Sequence, residues 1–119
     1  MITAAHLILN SPDADADRAF LRDVLGWASV HASGPDDPWL IFRVPPTELG
    51  VHPTDGAPST HLYLMCDDVH ATVADLRERG VEVTSEPQDQ GWGVVTALRL
   101  PSGAEVGLYQ PRHATAYDA

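Results

Sequence analysis

A chain of 119 residues has room for about one hydrophobic core, because single cores serve roughly 100 to 150 residues. Its 44% hydrophobic and 20% charged residues, with 9 Gly and 10 Pro, make an ordinary globular composition rich in turns, which excludes a disordered or fibrous chain. Seven basic against 17 acidic residues leave a net charge of −10, which repels phosphate backbones and argues against a nucleic-acid partner, while a single cysteine, Cys66, excludes an intrachain disulfide.

In chain order, the alternating run Ala4 to Asn10 predicts a strand ended by the turn residues Ser11-Pro12-Asp13. From Ala14 to Leu25 the apolar residues Ala16, Phe20, Leu21, Val24 and Leu25 recur at helical spacing, and Gly26 stands where a C-cap belongs. Three short segments bounded by Pro or Gly predict strands at Trp27 to Ala32, Trp39 to Val44 and Thr47 to His52. The order then restarts. His61 to Cys66 predicts a strand, and Asp68 an N-cap for a helix buried through Val69, Val73 and Leu76 and closed by Gly80. Val81 to Ser85, Gly93 to Leu100 and Ala104 to Gln110 predict three more strands.

The unit βαβββ is therefore written twice. His6-Leu7-Ile8-Leu9 matches His61-Leu62-Tyr63-Leu64, Gly26 matches Gly80, Arg43-Val44-Pro45 matches Arg99-Leu100-Pro101, and Glu48-Leu49-Gly50-Val51 matches Glu105-Val106-Gly107-Leu108. The offsets stay between 54 and 57 residues, the slow drift that small loop insertions leave between related halves. One domain is expected over 1–119, with module one at 1–53, module two at 57–111 and a polar tail at 112–119.

Strand side chains alternate faces, so each strand divides into a helix-covered set and an opposite set. Leu7, Leu9, Leu49, Val51, Leu62, Leu64, Val106 and Leu108 form the aliphatic set and are expected to be core, with Cys66 an inert apolar residue beside them. The opposite face carries His6, Glu48, Gly50, His52, His61, Tyr63, Met65, Glu105, Gly107 and Tyr109. With Trp39 and Trp92 it reads as the lining of a cleft, an exposed sheet face being the alternative.

Together and in order, Ala5 to Leu9, Arg18 to Gly26, Asp67 through Leu76, Gly80 to Val83 and Leu100 through Pro111 resemble the vicinal oxygen chelate superfamily of glyoxalase I, bleomycin-resistance proteins and extradiol dioxygenases. The resemblance covers residues 3–111. It implies an α+β fold in which two paired βαβββ modules form a U-shaped mixed sheet around a cleft with helices outside, often in a homodimer. It also implies a divalent metal held by a histidine on the first strand, a histidine on the fifth and a carboxylate on the last. His6 and His61 match the first two positions, but the glutamate expected on the last strand is Gly107. Glu105 and Glu48 are the nearest substitutes, and two residues along a strand is about 6.6 Å, a long reach.

His6 and His61 are thus either metal ligands, with Glu105 as the third, or neutral hydrogen-bonding groups of the cleft. Glu105 and Glu48 are ligands, a general base, carboxylates facing a cation, or solvated strand residues. His52 is expected at the rim. Tyr63, Met65, Trp39, Trp92 and Tyr109 either stack on a flat ligand or fill space between sheet and loops. The leading expectation is a cytoplasmic homodimer that holds an apolar or aromatic, optionally cationic, small molecule without cofactor or reaction. A metal-dependent isomerase, lyase or dioxygenase using His6, His61 and Glu105 or Glu48 is the alternative, and a structural or interaction module the third. No run approaches the roughly 18 consecutive apolar residues of a membrane span, so no membrane partner is expected.

Overall fold

The computed structural model describes residues 1 and 4–117. Among these residues two helices and seven strands follow in the order α1 (Ala14–Asp23), β1 (Ser29–His31), β2 (Leu40–Phe42), β3 (Tyr63–Met65), α2 (Val69–Glu78), β4 (Glu82–Val83), β5 (Gln88–Asp89), β6 (Gly93–Arg99) and β7 (Glu105–Pro111). The fold is the expected α+β class with mixed sheets. Among the described residues no helix is long and apolar enough to cross a membrane.

Both helices form where capping and periodicity put them. Asp13 accepts from the Ala16 backbone N–H at 3.2 Å, and Asp68 from that of Ala71 at 3.1 Å, each satisfying a donor the first helical turn would leave unpaired. Gly26 (φ 72°) and Gly80 (φ 80°) take the left-handed turn that ends each helix, a conformation costly for any residue with a Cβ. Val69, Val73 and Leu76 fall on one face of α2 and are buried. Asp68→Ala is expected to lower stability by about 1 kcal/mol, read as a shifted urea midpoint at unchanged slope.

The second half closes into a sheet of order β3-β7-β6-β4, with β5 pairing on β6 in a stretch the sequence reads as loop. β3 runs parallel to β7, Tyr63 opposite Gly107 and Met65 opposite Tyr109, because α2 carries the chain over the sheet before β7 returns. Val94, Leu98, Val106 and Leu108 point to the helix side and join Phe20, Val69, Val73, Leu76, Val81 and Leu100 in one buried core. Helix α1 reaches this core through Phe20. Buried Asp17 ties it to the β6–β7 turn by accepting from the Ser102 backbone N–H at 3.0 Å.

The first half departs from expectation. Among its described residues only β1 and β2 pair, as a two-stranded ladder separate from the larger sheet. The stretches 4–10 and 47–52, expected as strands, are not strands here, and no backbone–backbone hydrogen bond within the described chain involves them. Leu7, Leu9, Leu49 and Val51, expected in the core, are 55%, 44%, 87% and 89% exposed. The physical reason is that a strand needs a neighbour for its N–H and C=O groups, and this chain folded alone offers these two segments none.

The dimensions agree. The Cα radius of gyration is 15.5 Å, against about 13.5 Å for a compact chain of this length. The accessible surface is 8698 Å², whereas a folded monomer of 12.8 kDa presents roughly 6,300 Å².

Candidate functional site

The face of the β3-β7-β6 sheet away from α2 carries Tyr63, Met65, Glu105, Gly107 and Tyr109, as strand alternation requires. Tyr109 is its centre. The Tyr63 ring lies 5.8 Å from it at 86° and the Trp92 ring 5.2 Å at 75°, both edge-to-face arrangements that aromatic quadrupoles favour. Tyr109 itself is buried, but Tyr63 and Trp92 remain 48% and 47% exposed, so the cluster offers open apolar surface.

Two glycines let these rings lie close to the backbone. A Cβ built on Gly107 would fall 2.8 Å from Tyr63 Cγ and nearer still to other atoms of the same ring. A Cβ on Gly93 would fall 2.8 Å from Tyr109 Cδ2 and 2.9 Å from the carbonyl oxygen of Gln110. Real Cβ atoms do not pack so tightly, so each glycine is a seat for a ring.

The chain beyond β7 adds a group that was expected only as part of a polar tail. His113 Nδ1 lies 2.8 Å from the Ala114 carbonyl oxygen, so the N–H sits on Nδ1 and Nε2 accepts from the Tyr109 hydroxyl at 3.0 Å. The tail is tied down further: the Arg112 backbone N–H donates to the Trp92 carbonyl at 2.9 Å, and the Arg112 guanidinium pairs with Asp89. Glu48 reaches the same place from the first half, its Oε2 accepting from the Ala116 backbone N–H at 2.7 Å and its Oε1 standing 3.9 Å from His113 Nε2. Burial, and next the charge of Glu48, push the Tyr109 phenol above its ordinary range, so it stays a protonated donor at neutral pH. His113 escapes the sequence reading because module one has no counterpart and because it lies beyond the end of β7, where strand alternation no longer fixes which way a side chain points.

The other expected residues are placed as follows. His61 is exposed, two residues before Tyr63 on the same strand parity, with Ser59 Oγ 3.4 Å from its Nε2. His6 is exposed within 4–10, and His52 is exposed beside Gly50. Glu105 accepts from the Thr84 hydroxyl at 3.1 Å. Trp39 lies under the Arg18 guanidinium of α1, 5.4 Å from the ring centre. Cys66 packs half-buried against the core, and burial raises its thiol pKa, which suits an inert side chain. A recess of about 430 Å³ beside Phe20, Val24, Val81 and Leu100 is lined by none of these residues.

A divalent metal of the kind the sequence resemblance implies needs three converging ligands. Among the described residues no three His, Cys, Asp or Glu side chains come together to hold an ion. The last-strand position is a glycine lying under the Tyr63 ring, and Glu105 is engaged by Thr84. The side chains of one chain do not fit such a centre.

The family model for the glyoxalase/bleomycin resistance protein/dioxygenase superfamily matches residues 3–108. No match was found among curated proteins. Among solved structures the chain is similar to TnmS3, an antibiotic binding protein from Streptomyces sp. CB03234, at 28% identity and TM-score 0.66, covering 92% of this chain and 97% of that one. It is similar in fold to a superfamily member from Sphaerobacter thermophilus DSM 20745 (23% identity, 92% and 98% covered, TM-score 0.62). The same holds for lactoylglutathione lyase from Agrobacterium tumefaciens (19% identity, 91% and 92% covered, TM-score 0.63).

Proposed function

The chain belongs to the glyoxalase/bleomycin resistance protein/dioxygenase superfamily, and from that premise we propose that it binds an apolar or aromatic small molecule on the face centred on Tyr109, without chemical conversion. The observation that carries this reading is the cluster of buried Tyr109 with half-exposed Tyr63 and Trp92 at the place where a metal centre would need a carboxylate. Aromatic surface of this kind gains from stacking and from leaving water. The antibiotic-binding relative supports it, since a chain of this size and 28% identity uses the same fold to hold a small molecule. Glu48 beside the cluster, with a net charge of −10, favours a cationic ligand over an anionic one.

The working unit of this proposal is a homodimer of two-module domains. The surplus of roughly 2,400 Å² over a compact monomer is larger than one partner's share of a standard interface. The exposed rows Leu7, Leu9 and Leu49, Val51 have strand alternation and no neighbour, and β3 ends the five-stranded sheet with an open edge. A second copy would supply partners for both segments and close the sheets around the aromatic face.

The test is a thermal-shift and calorimetric screen of neutral and cationic aromatic compounds, run beside zinc chloride alone. A saturable stabilisation by an aromatic compound that Tyr109→Ala abolishes is the expected result. Stoichiometric zinc uptake lost in both His6→Ala and His61→Ala would overturn it in favour of metal chemistry.

A further inference from the structure

Gly107 is the position on this face where sequence and geometry disagree most, because a last-strand residue opposite Tyr63 has room for no side chain at all. The three atoms nearest a Cβ built there all belong to the Tyr63 ring. At Gly93 the obstruction includes the Gln110 carbonyl oxygen, part of the backbone, which no side-chain movement relieves. The two seats are therefore of different kinds. At one the nearest obstruction is a side chain; at the other it includes the sheet itself.

We infer that Gly107 is a specificity-determining residue of the small-molecule face: it seats the Tyr63 ring close against β7, so that the floor beside Tyr109 accepts a flat aromatic cation. This rests on the binding reading above. Three features of the face select that ligand class. Tyr63 and Trp92 both stand close to perpendicular to Tyr109 and stay half open, which offers ring faces and edges to a planar guest. The carboxylate of Glu48 is held within reach of the Tyr109 hydroxyl's partner, His113, which puts a negative charge at the edge of the cluster. The guanidiniums near this sheet are engaged elsewhere, Arg112 with Asp89 and Arg99 with Glu82, so they do not compete for that charge.

A side chain at position 107 would lift the Tyr63 ring off the sheet and break its edge-to-face contact with Tyr109. The effect passes through Tyr63 alone, and that gives the idea its sharp consequence: removing the ring should make the glycine dispensable.

The experiment is a double-mutant cycle of Gly107→Ala and Tyr63→Ala, with proflavine as the planar cationic probe and near-ultraviolet circular dichroism of the free protein as a readout that needs no ligand. Gly107→Ala is expected to change the aromatic dichroism and weaken proflavine binding on the order of ten-fold. In the Tyr63→Ala background the same substitution should change neither dichroism nor affinity. Should Gly107→Ala fail to fold, the double variant should fold again, whereas Gly93→Ala should not be rescued by Tyr109→Ala. An unaltered aromatic spectrum, an equal loss in both backgrounds, or a double variant that stays unfolded would each overturn the seat. Proflavine ignored by the wild-type chain would overturn the ligand class while the dichroism arm still decides the seat. A silent response to every compound in the wider screen would instead sink the binding reading.

Discussion

The wild-type chain is expected to sediment as a dimer, and Leu49→Asp with Val51→Asp to leave it a monomer. Both side chains are almost fully exposed in the single chain, so in an isolated monomer two carboxylates there meet water and cost little. In the proposed dimer the same positions are covered by a second copy, and a two-fold interface counts every substitution twice. An unpaired carboxylate forced into such an interface costs about 4 kcal/mol, which weakens association roughly a thousand-fold. Sedimentation velocity across a concentration series reads the result. The far-ultraviolet dichroism should persist, because the core built on Leu98 and α2 does not include either residue. A wild-type chain that stays monomeric at high concentration, or a variant as dimeric as the parent, would refute the assembly.

Leu98→Ala should give the largest loss of stability from any single truncation. Leu98 is 1% exposed near the end of β6, between β4 and β7, pairing with Val83 on one side and Val106 on the other, so the emptied volume is walled by paired strands on both flanks. The site cannot collapse, and the loss is expected near 3 kcal/mol. For a domain of this size that lowers the melting temperature by about 10 °C. Urea unfolding at one fixed protein concentration separates this effect from dissociation. Leu49→Ala, in contrast, should leave the unfolding of a dissociated chain nearly unchanged, because its side chain is already in water.

The second half was legible because its signals are local and agree with one another. The 3.6-residue spacing of Val69, Val73 and Leu76, the Asp68 cap, the Gly80 stop and the alternation through Val106 and Leu108 all point one way, and each is satisfied by neighbours within the same stretch of chain. The first half carries equally clear alternation at Leu7 and Leu9, yet these residues are exposed. Alternation states which side chains share a face, not which strand lies alongside.

The candidate site divides in the same manner. That Tyr63, Met65, Glu105 and Tyr109 share a face follows from parity and could be read in advance. His113 could not, since its role depends on where the chain turns after Pro111. Trp39 has the composition of a cleft residue and instead covers Arg18 on α1.

Sequence alone therefore determined the α+β class, the family and the glycine at position 107, because each depends on residue type, spacing or short-range periodicity, whereas the duplicated βαβββ order it predicts is not seen in the first half, where α1, β1 and β2 are the elements that form among the described residues. Only the tertiary structure decided that Tyr63 lies over Gly107, that Glu48 meets the tail beside Tyr109 and His113, and that 4–10 and 47–52 find no pairing strand among the described residues. Those are matters of which surfaces meet across 40 residues or more, and no local pattern encodes the partner of a strand whose partner is not in its own neighbourhood.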